Sequence, residues 1–319
     1  MEKRVLLIAG GGTLGTYVSE ELLRLGCRVD VLCLEDKVSH DERLRFFKGY
    51  ATLESLQELF KEQRYDGIVN FLHFPNADDY PPMHRLLVEN TDHLIFLSSY
   101  RIYADLQHPV TETAPTLLDV TEDQLFLEVE DYALAKARAE KFLRSQPGKI
   151  NWTIVRPVIS FSARRFDVVV RSRQYVLEKA KAGEVIYMPE KARNLTAGLD
   201  WSGNTGKIIA NLLFKEETKG EAYTISSGQN LTWGEVADIY TELLGAKFEW
   251  IDTDEYIRDH HNPKKIWILI YDRLFDRKID NSKVLKATGL KKEDFATIRE
   301  GLVKELAIYE ASLKAADTQ

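Results

Sequence analysis

Short apolar runs alternate with amphipathic segments through the first half of the chain. Residues 5–9 form an unbroken apolar run stopped by glycine, the pattern of a strand buried on both faces of a parallel sheet. Residues 16–25 then set Val18, Leu22 and Leu25 on one helical face, and Gly26 follows in the position that ends helices. The alternation predicts a strand at 29–34, a helix at 53–62, a third buried strand at 67–72 after Tyr65-Asp66, and a further strand at 93–97 that runs into Ser98-Ser99. A long helix at 125–143 and a strand at 153–155, ending at Arg156-Pro157, complete the series. Strands alternating with helices require right-handed crossovers and predict an α/β fold with a doubly wound, Rossmann-like parallel sheet.

Beyond about residue 158 the rhythm changes. Helices are predicted at 171–182, 206–214 and 232–244, the last with Thr232 and Glu235 in capping-box spacing. A strand is predicted at 222–226 and a closing amphipathic helix at 298–311. The chain thus divides into a dinucleotide-binding domain over 1–158, rejoined by about 197–228, and a smaller mixed substrate-binding domain over 159–319. Residues 317–319 are expected to fray.

Composition narrows the classes of partner. The 319 residues are 44% apolar, enough for a sizeable core, and the net charge of −7 comes from Lys and Arg scattered among Asp and Glu. That balance argues against a protein held to nucleic acid by phosphate neutralisation. Cys27 and Cys33 are too few for a disulfide framework, and no metal-ligand spacing is present, so no metal is expected. No stretch approaches the ~20 apolar residues of a membrane span. Lys3 and Arg4 precede an apolar run too short for a signal peptide, which makes a cytoplasmic protein the expectation.

The segment Ala9-Gly10-Gly11-Gly12-Thr13-Leu14-Gly15 lies between the first predicted strand and the first helix. A dinucleotide needs such a loop, because the turn must be tight, the backbone must approach the pyrophosphate, and a helix N-terminus must face the negative charge. An acidic residue for the ribose hydroxyls is expected at the end of the second strand. Cys33 stands there, with Glu35 and Asp36 just beyond, and no arginine is placed for a 2′-phosphate, although Lys37 is near. NAD is favoured, and NADP stays open.

Tyr132-Ala133-Leu134-Ala135-Lys136 puts a phenol and an ammonium at i and i+4, on one helical face. A free tyrosine has a pKa of ~10, and poising it near neutrality takes about 4 kcal/mol. An exposed i,i+4 pair supplies only ~0.2–0.5 kcal/mol. Lys136 activates Tyr132, then, only inside a low-dielectric pocket beside a positive nicotinamide. Taken alone the pair also fits an ordinary helix surface. Ser99 adds to it, because it ends a buried strand at the carboxyl edge where doubly wound sheets bind ligands.

With these residues in view, the chain resembles the extended short-chain dehydrogenases, the nucleotide-sugar epimerase and dehydratase family. The resemblance runs over nearly the whole length: the loop ending at Gly15, Asp66-Gly67-Ile68-Val69-Asn70, Leu97-Ser98-Ser99-Tyr100-Arg101-Ile102-Tyr103, Tyr132 to Lys136, Arg156-Pro157, and Asp280-Asn281-Ser282-Lys283. Ser99 stands four residues before Tyr103, as the family's Ser or Thr stands before its own tyrosine. The resemblance implies Tyr132 as base, Lys136 on the nicotinamide ribose, and Ser99 as hydroxyl partner. It implies a cofactor set of Gly10, Gly12, Thr13, Leu14, Gly15, Cys33, Leu72, Lys136 and Pro157. It further implies a nucleotide-sugar substrate and suggests a homodimer. Departures from the pattern are Ala9 in place of the first glycine, Cys33 in place of the acid, Tyr50 where an adenine-contacting Asp is frequent, and a short 73–98 segment.

The implied chemistry is oxidation of a sugar carbinol, Tyr132 taking the hydroxyl proton. Dehydratases of the family carry Asp-Glu directly after their Thr. Here Tyr100-Arg101 follows Ser99, which favours an epimerase or a reductase over a dehydratase. Arg101 is a candidate substrate contact, and Arg193, before the segment leading to Asp200, is a candidate for the substrate diphosphate. His73 follows the third predicted strand, near the expected cleft, and reads better as a structural histidine. The acidic run Glu128, Glu130 and Asp131 reads as a solvated helix face. Two rivals remain: an NADP-dependent reductase, and a non-catalytic dinucleotide- or RNA-binding regulator on the same fold.

Overall fold

The computed structural model describes residues 2–129 and 132–316. Seven parallel strands form one sheet. In chain order they are β1 (Arg4–Ile8), β2 (Arg28–Cys33), β3 (Leu44–Lys48), β4 (Tyr65–Asn70), β5 (Thr91–Leu97), β6 (Trp152–Pro157) and, after three strands outside this sheet, β10 (Ala222–Ile225). Their spatial order is β10-β6-β5-β4-β1-β2-β3, so the winding reverses between β1 and β4. A crevice at the carboxyl ends of the strands is the consequence of that reversal.

The central strands read as unbroken apolar runs because both of their faces are covered. Val5 and Leu7 of β1 pack toward α1 (Thr13–Arg24) and the later helix α8 (Ser202–Leu212), in one core with Val18, Leu22, Ile208 and Leu212. Leu6 and Ile8 face the other way, into a core with Leu56, Met83, Leu87 and Leu143. That second layer holds α2 (Leu53–Glu62), α3 (Tyr80–Glu89) and α6 (Tyr132–Ser145). Two short helices, α4 (Leu117–Val120) and α5 (Gln124–Glu128), precede α6.

The predicted helix at 125–143 is therefore two: α5 is capped by the Asp123 side chain, which accepts from Phe126 N, and ends at Val129. Glu130 and Asp131 lie outside the described residues. Strand β3 and helix α3 have no counterpart in the sequence reading. β3 is a half-exposed edge strand without a continuous apolar run. α3 begins with Pro81-Pro82, which reads as a break but is tolerated in a first turn, where the missing N–H groups need no partner.

The remaining chain builds a second core around Phe161, Val176, Ile186, Trp233, Tyr240 and Tyr256. It contains β7 (Ile159–Phe161), α7 (Arg173–Ala182), β8 (Val185–Pro189), β9 (Leu199–Trp201), α9 (Trp233–Leu244) and β11 (Lys247–Ile251), in two two-stranded parallel ribbons. The capping box is present on α9: Thr232 accepts from Glu235 N, and Glu235 accepts from Thr232 N. Between these elements α8 (Ser202–Leu212) and β10 return to the large sheet, and β10 pairs with β6. The helix Ile298–Ala316 closes the described chain. Among the described residues no helix is long and apolar enough to cross a membrane, and no group of three or more His, Cys, Asp or Glu is placed to hold a metal ion.

Candidate active site

Four strand ends converge at the crevice. β1 delivers the glycine loop, β4 leads to Leu72 and His73, β5 to Ser98 and Ser99, and β6 to Pro157. Each glycine in the loop has its own constraint. A methyl on Gly15 would sit 2.1 Å from Gly10 O, so helix α1 rests directly on the loop backbone. A methyl on Gly10 would meet Leu7 Cβ at 2.7 Å. Gly12 is the N-cap of α1, has no side-chain cap, and faces open space within 4 Å. An uncapped helix N-terminus with open space before it is what a diphosphate requires. Ala9 takes a positive φ of 57°, the backbone that the departed glycine would have adopted without strain.

Two clefts open on either side of this loop. One, about 250 Å³, is lined by Gly12, Cys33, Glu35, Tyr50 and Leu72 among others, and suits an adenosine. The other, about 500 Å³, is lined by Thr13, Leu14, Ser99, Arg101, Tyr132 and Pro157 among others. The acid that the sequence places too late for the ribose reaches the loop all the same. A methyl on Gly11 would lie 2.1 Å from Glu35 Oε2, so this carboxylate lies against the glycine loop. Cys33 stays buried beneath, its Sγ 3.5 Å from Glu35 O.

Ser99 and Tyr132 line the larger cleft, and Lys136 lies buried behind Tyr132, its Nζ 5.7 Å from the phenol ring centroid. Ser99 is buried and caps the turn Tyr100–Ile102 by accepting from Arg101 N at 3.2 Å. Lys136 is 2% exposed, and its Nζ donates to Leu97 O at 2.6 Å and Leu72 O at 3.2 Å. An ammonium has three protons, so one remains for a further acceptor such as a ribose hydroxyl. Burial lowers the Lys136 pKa to about 7, against the opposing charge of Glu140 one helical turn on. Burial raises the Tyr132 phenol, while the Arg101 guanidinium, the Ser99 hydroxyl and Arg165 oppose the rise. The cation closest to the phenol ring is Arg101, with Cζ 5.5 Å from the ring centroid against 5.7 Å for Lys136 Nζ. His73 is not remote from the chemistry: its ring lies 4.8 Å from that of Tyr132, and burial followed by the Lys136 charge lowers its pKa.

The frame under these groups is a buried ion pair. Arg156 of β6 donates from Nε to Glu140 Oε1 at 2.9 Å and from Nη2 to Oε2 at 2.5 Å, and both side chains are buried. Arg156 Nη1 also reaches Tyr103 Oη at 2.8 Å. Arg156 and Tyr103 thus lock α6, and with it Tyr132 and Lys136, against the strand ends.

A second charged cluster escaped the sequence reading. Asp272 is buried against Arg273, and lies 3.4 Å from Arg277 Nε and 3.4 Å from Arg101 Nε. Burial would raise this carboxyl, but the three guanidiniums hold it below the ordinary value. Arg101, Arg165 and Arg273 give the cleft wall an excess of positive charge. A neighbouring cleft of about 340 Å³ shares these three and adds Lys264, Lys265 and Trp267. Arg193, expected to meet a diphosphate, is exposed on the approach to α9 and lines neither cleft. Its backbone carbonyl accepts from Gly234 N at 2.8 Å, which ties it to the first turn of α9. The signals for the missed arginines, Arg164-Arg165 and Asp272-Arg273, are charged doublets that sequence alone cannot separate from a solvated surface.

No protein-family model and no curated protein matches the sequence. Solved structures do. UDP-glucose 4-epimerase from Stenotrophomonas maltophila, solved with NAD and formylated UDP-arabinopyranose, superposes with a TM-score of 0.73 at 14% identity over 99% of this chain and 100% of that one. The Bordetella bronchiseptica enzyme WbmG, solved with NAD and UDP, gives 0.69 at 16% over 98% and 96%. The NAD-dependent NDP-hexosamine 5,6-dehydratase TunA gives 0.71 at 14% over 97% and 98%. These likenesses show the fold that the chain shares with these enzymes. The departures noted in the sequence, at Ala9, Cys33 and Tyr50, fall in the glycine loop and along the smaller cleft and leave the architecture intact.

Proposed function

We propose that this chain is an NAD-dependent enzyme that oxidises a carbinol of a nucleotide-linked sugar and returns the hydride as an epimerase. The observation that carries the reading is the convergence of Ser99 and Tyr132 on one cleft, with Lys136 buried directly behind Tyr132, beside an open, uncapped helix N-terminus. Bound NAD would supply the hydride acceptor. Tyr132 takes the substrate hydroxyl proton, and Ser99 holds the same oxygen. Lys136 donates to the ribose with its remaining proton, and the Arg101 and Arg165 guanidiniums favour the phenolate. Gly10, Gly12, Thr13, Leu14 and Gly15 would hold the diphosphate. Cys33, Glu35, Tyr50 and Leu72 would surround the adenosine.

The Glu35 carboxylate favours ribose hydroxyls and repels a 2′-phosphate, which supports NAD over NADP. Arg101 stands where dehydratases of this fold carry a carboxylate, which supports epimerisation over elimination. The excess of guanidinium along the wall, continued by Lys264 and Lys265, supports a substrate bearing a diphosphate, with Trp267 available to its base. Those residues replace Arg193 in that role.

The test is twofold. Mass spectrometry of small molecules released from the native protein should find a nicotinamide dinucleotide. Tyr132→Phe should lower turnover of the cognate nucleotide-sugar by ~100-fold or more while the dinucleotide stays bound. Release of the dinucleotide by that substitution would make Tyr132 structural, and wild-type turnover would remove it from the chemistry.

A further inference from the structure

The turn after β7 crosses the cofactor crevice. Ser162 Oγ donates to Thr13 Oγ1 at 3.0 Å, in the first turn of α1, and accepts from Arg164 N at 3.2 Å. Ala163 N donates to Glu305 Oε2 at 2.7 Å, and Glu305, on the C-terminal helix, is 1% exposed. Arg173 Nη1 donates to Ala163 O from the other side. The backbone of this turn is therefore fixed by three separate elements. Its Arg164 side chain is not: it extends over the loop to Glu35, Nη1 to Oε1 at 3.8 Å, with 61% and 43% of the two side chains exposed.

The place of this ion pair matters more than its strength. Glu35 lines the adenosine-sized cleft, and Ser162 and Arg165 line the larger one. Thr13 on one side and Glu35 on the other flank the open space before Gly12. A dinucleotide occupying both clefts must carry its diphosphate through that gap, with the α1 N-terminus on one side and Arg164 on the other. An exposed ion pair is worth only ~0–1 kcal/mol, so little opposes its opening. A guanidinium gains more by pairing with a diphosphate, in bidentate geometry, than with one solvated carboxylate.

We propose that Arg164 is a clamp on the dinucleotide diphosphate, and that Arg164 and Glu35 exchange partners when the cofactor enters. In this structure they lie against each other. With cofactor bound, Arg164 takes the diphosphate and Glu35 the adenosine ribose, and the turn fixed by Thr13 and Glu305 becomes a strap across the bound molecule. This inference rests on the dinucleotide reading of the crevice.

The experiment is calorimetric titration of the cofactor-free full-length protein with NAD, ADP and adenosine. Arg164→Gln should weaken NAD and ADP about tenfold and leave adenosine unchanged, and Arg164→Lys should restore most of the loss. The salt dependence of ADP binding should be shallower in Arg164→Gln than in the unaltered protein. Equal NAD and ADP affinities in the variant and the unaltered protein overturn the clamp. A parallel loss of adenosine overturns it too, because the substitution would then have deformed the pocket. If the unaltered protein binds none of the three probes, the dinucleotide reading fails first. If it binds NAD and Arg164→Gln binds NAD equally well, only the clamp fails.

Discussion

Glu140→Gln removes a charge from the frame of the site without removing its volume. The carboxylate and its partner Arg156 are each 4% exposed and meet through two hydrogen bonds, at 2.9 and 2.5 Å. A carboxamide keeps one acceptor and turns the other toward Arg156 as a donor. The guanidinium would then be held by Tyr103 Oη at 2.8 Å and Glu112 O at 2.9 Å, with no counter-charge. Breaking a buried pair from one side costs about 3–5 kcal/mol, against a total stability of roughly 5–15 kcal/mol for a typical protein. The expected outcome in urea is a markedly lower midpoint at unchanged slope. The pair as a whole is weaker evidence of stability than that figure suggests, because both charges left water to form it. The double substitution Glu140→Leu with Arg156→Leu should therefore recover much of the loss. Glu140 also raises the pKa of Lys136, so the single variant should bring the Lys136 ammonium below its value of about 7. A single-variant loss under about 1 kcal/mol, or a double variant as unstable as the single, would refute the desolvation argument.

The glycine loop offers a paired contrast. Gly15→Ala drives a methyl into Gly10 O and should lose both stability and dinucleotide binding, whereas Gly12→Ala meets nothing within 4 Å and should leave the unfolding midpoint unchanged while weakening only ligands that carry a diphosphate. Equal midpoints for the two variants would refute the close approach of α1 to the loop. Lys136 carries a pH signature: its folded pKa of about 7 lies below the ordinary 10.5, so the unfolded chain binds more protons between those values and stability rises with pH across that window. The stability of the unaltered protein relative to Lys136→Met should therefore increase by roughly 2 kcal/mol from pH 7 to pH 9, measured by urea unfolding; a flat difference would mean that Lys136 titrates normally.

The features legible in the sequence share one property: a local pattern with a single physical solution. β1, β4 and β5 each carry a short apolar run that ends at the crevice, and a strand covered on both faces uses such a run over so few residues. The loop from Ala9 to Gly15 stands between a strand and a helix, and Thr232 with Glu235 marks a helix start that the structure places at Trp233. What failed depended on distant partners. Strand β3 owes its place to β2, not to its own half-exposed residues. Arg193 was placed by its order in the chain, yet its turn packs on the start of α9 and lines neither cleft. Glu35 lies two residues past the expected acid position, and only the path of the chain after Cys33 returns its carboxylate to Gly11.

The same distinction bears on how the tyrosine is activated. Read along the helix, Tyr132 and Lys136 form an isolated pair, and the energy of such a pair falls about tenfold short of what the phenol needs. Burial does not close that gap, because it raises the phenol and neutralises the ammonium together: Lys136 titrates at about 7 and Tyr132 stays above its ordinary value. The cations that oppose the rise sit on residues that the helix does not contain, Arg101 and Arg165. Arg101 is held by the Asp272 cluster from residues 272–277, and Arg165 by Asp167 on the turn after β7. A guanidinium keeps its proton in a dry cleft where an ammonium gives it up. On the proposed reading, the phenol's electrostatic support comes from Arg101 after β5 and Arg165 after β7, while Lys136 serves the Leu72 and Leu97 carbonyls and keeps one proton for a cofactor hydroxyl. On that reading the arginine after Ser99 does two things at once: it leaves no carboxylate there for elimination, and it sets a cation beside the phenol that is to take the proton.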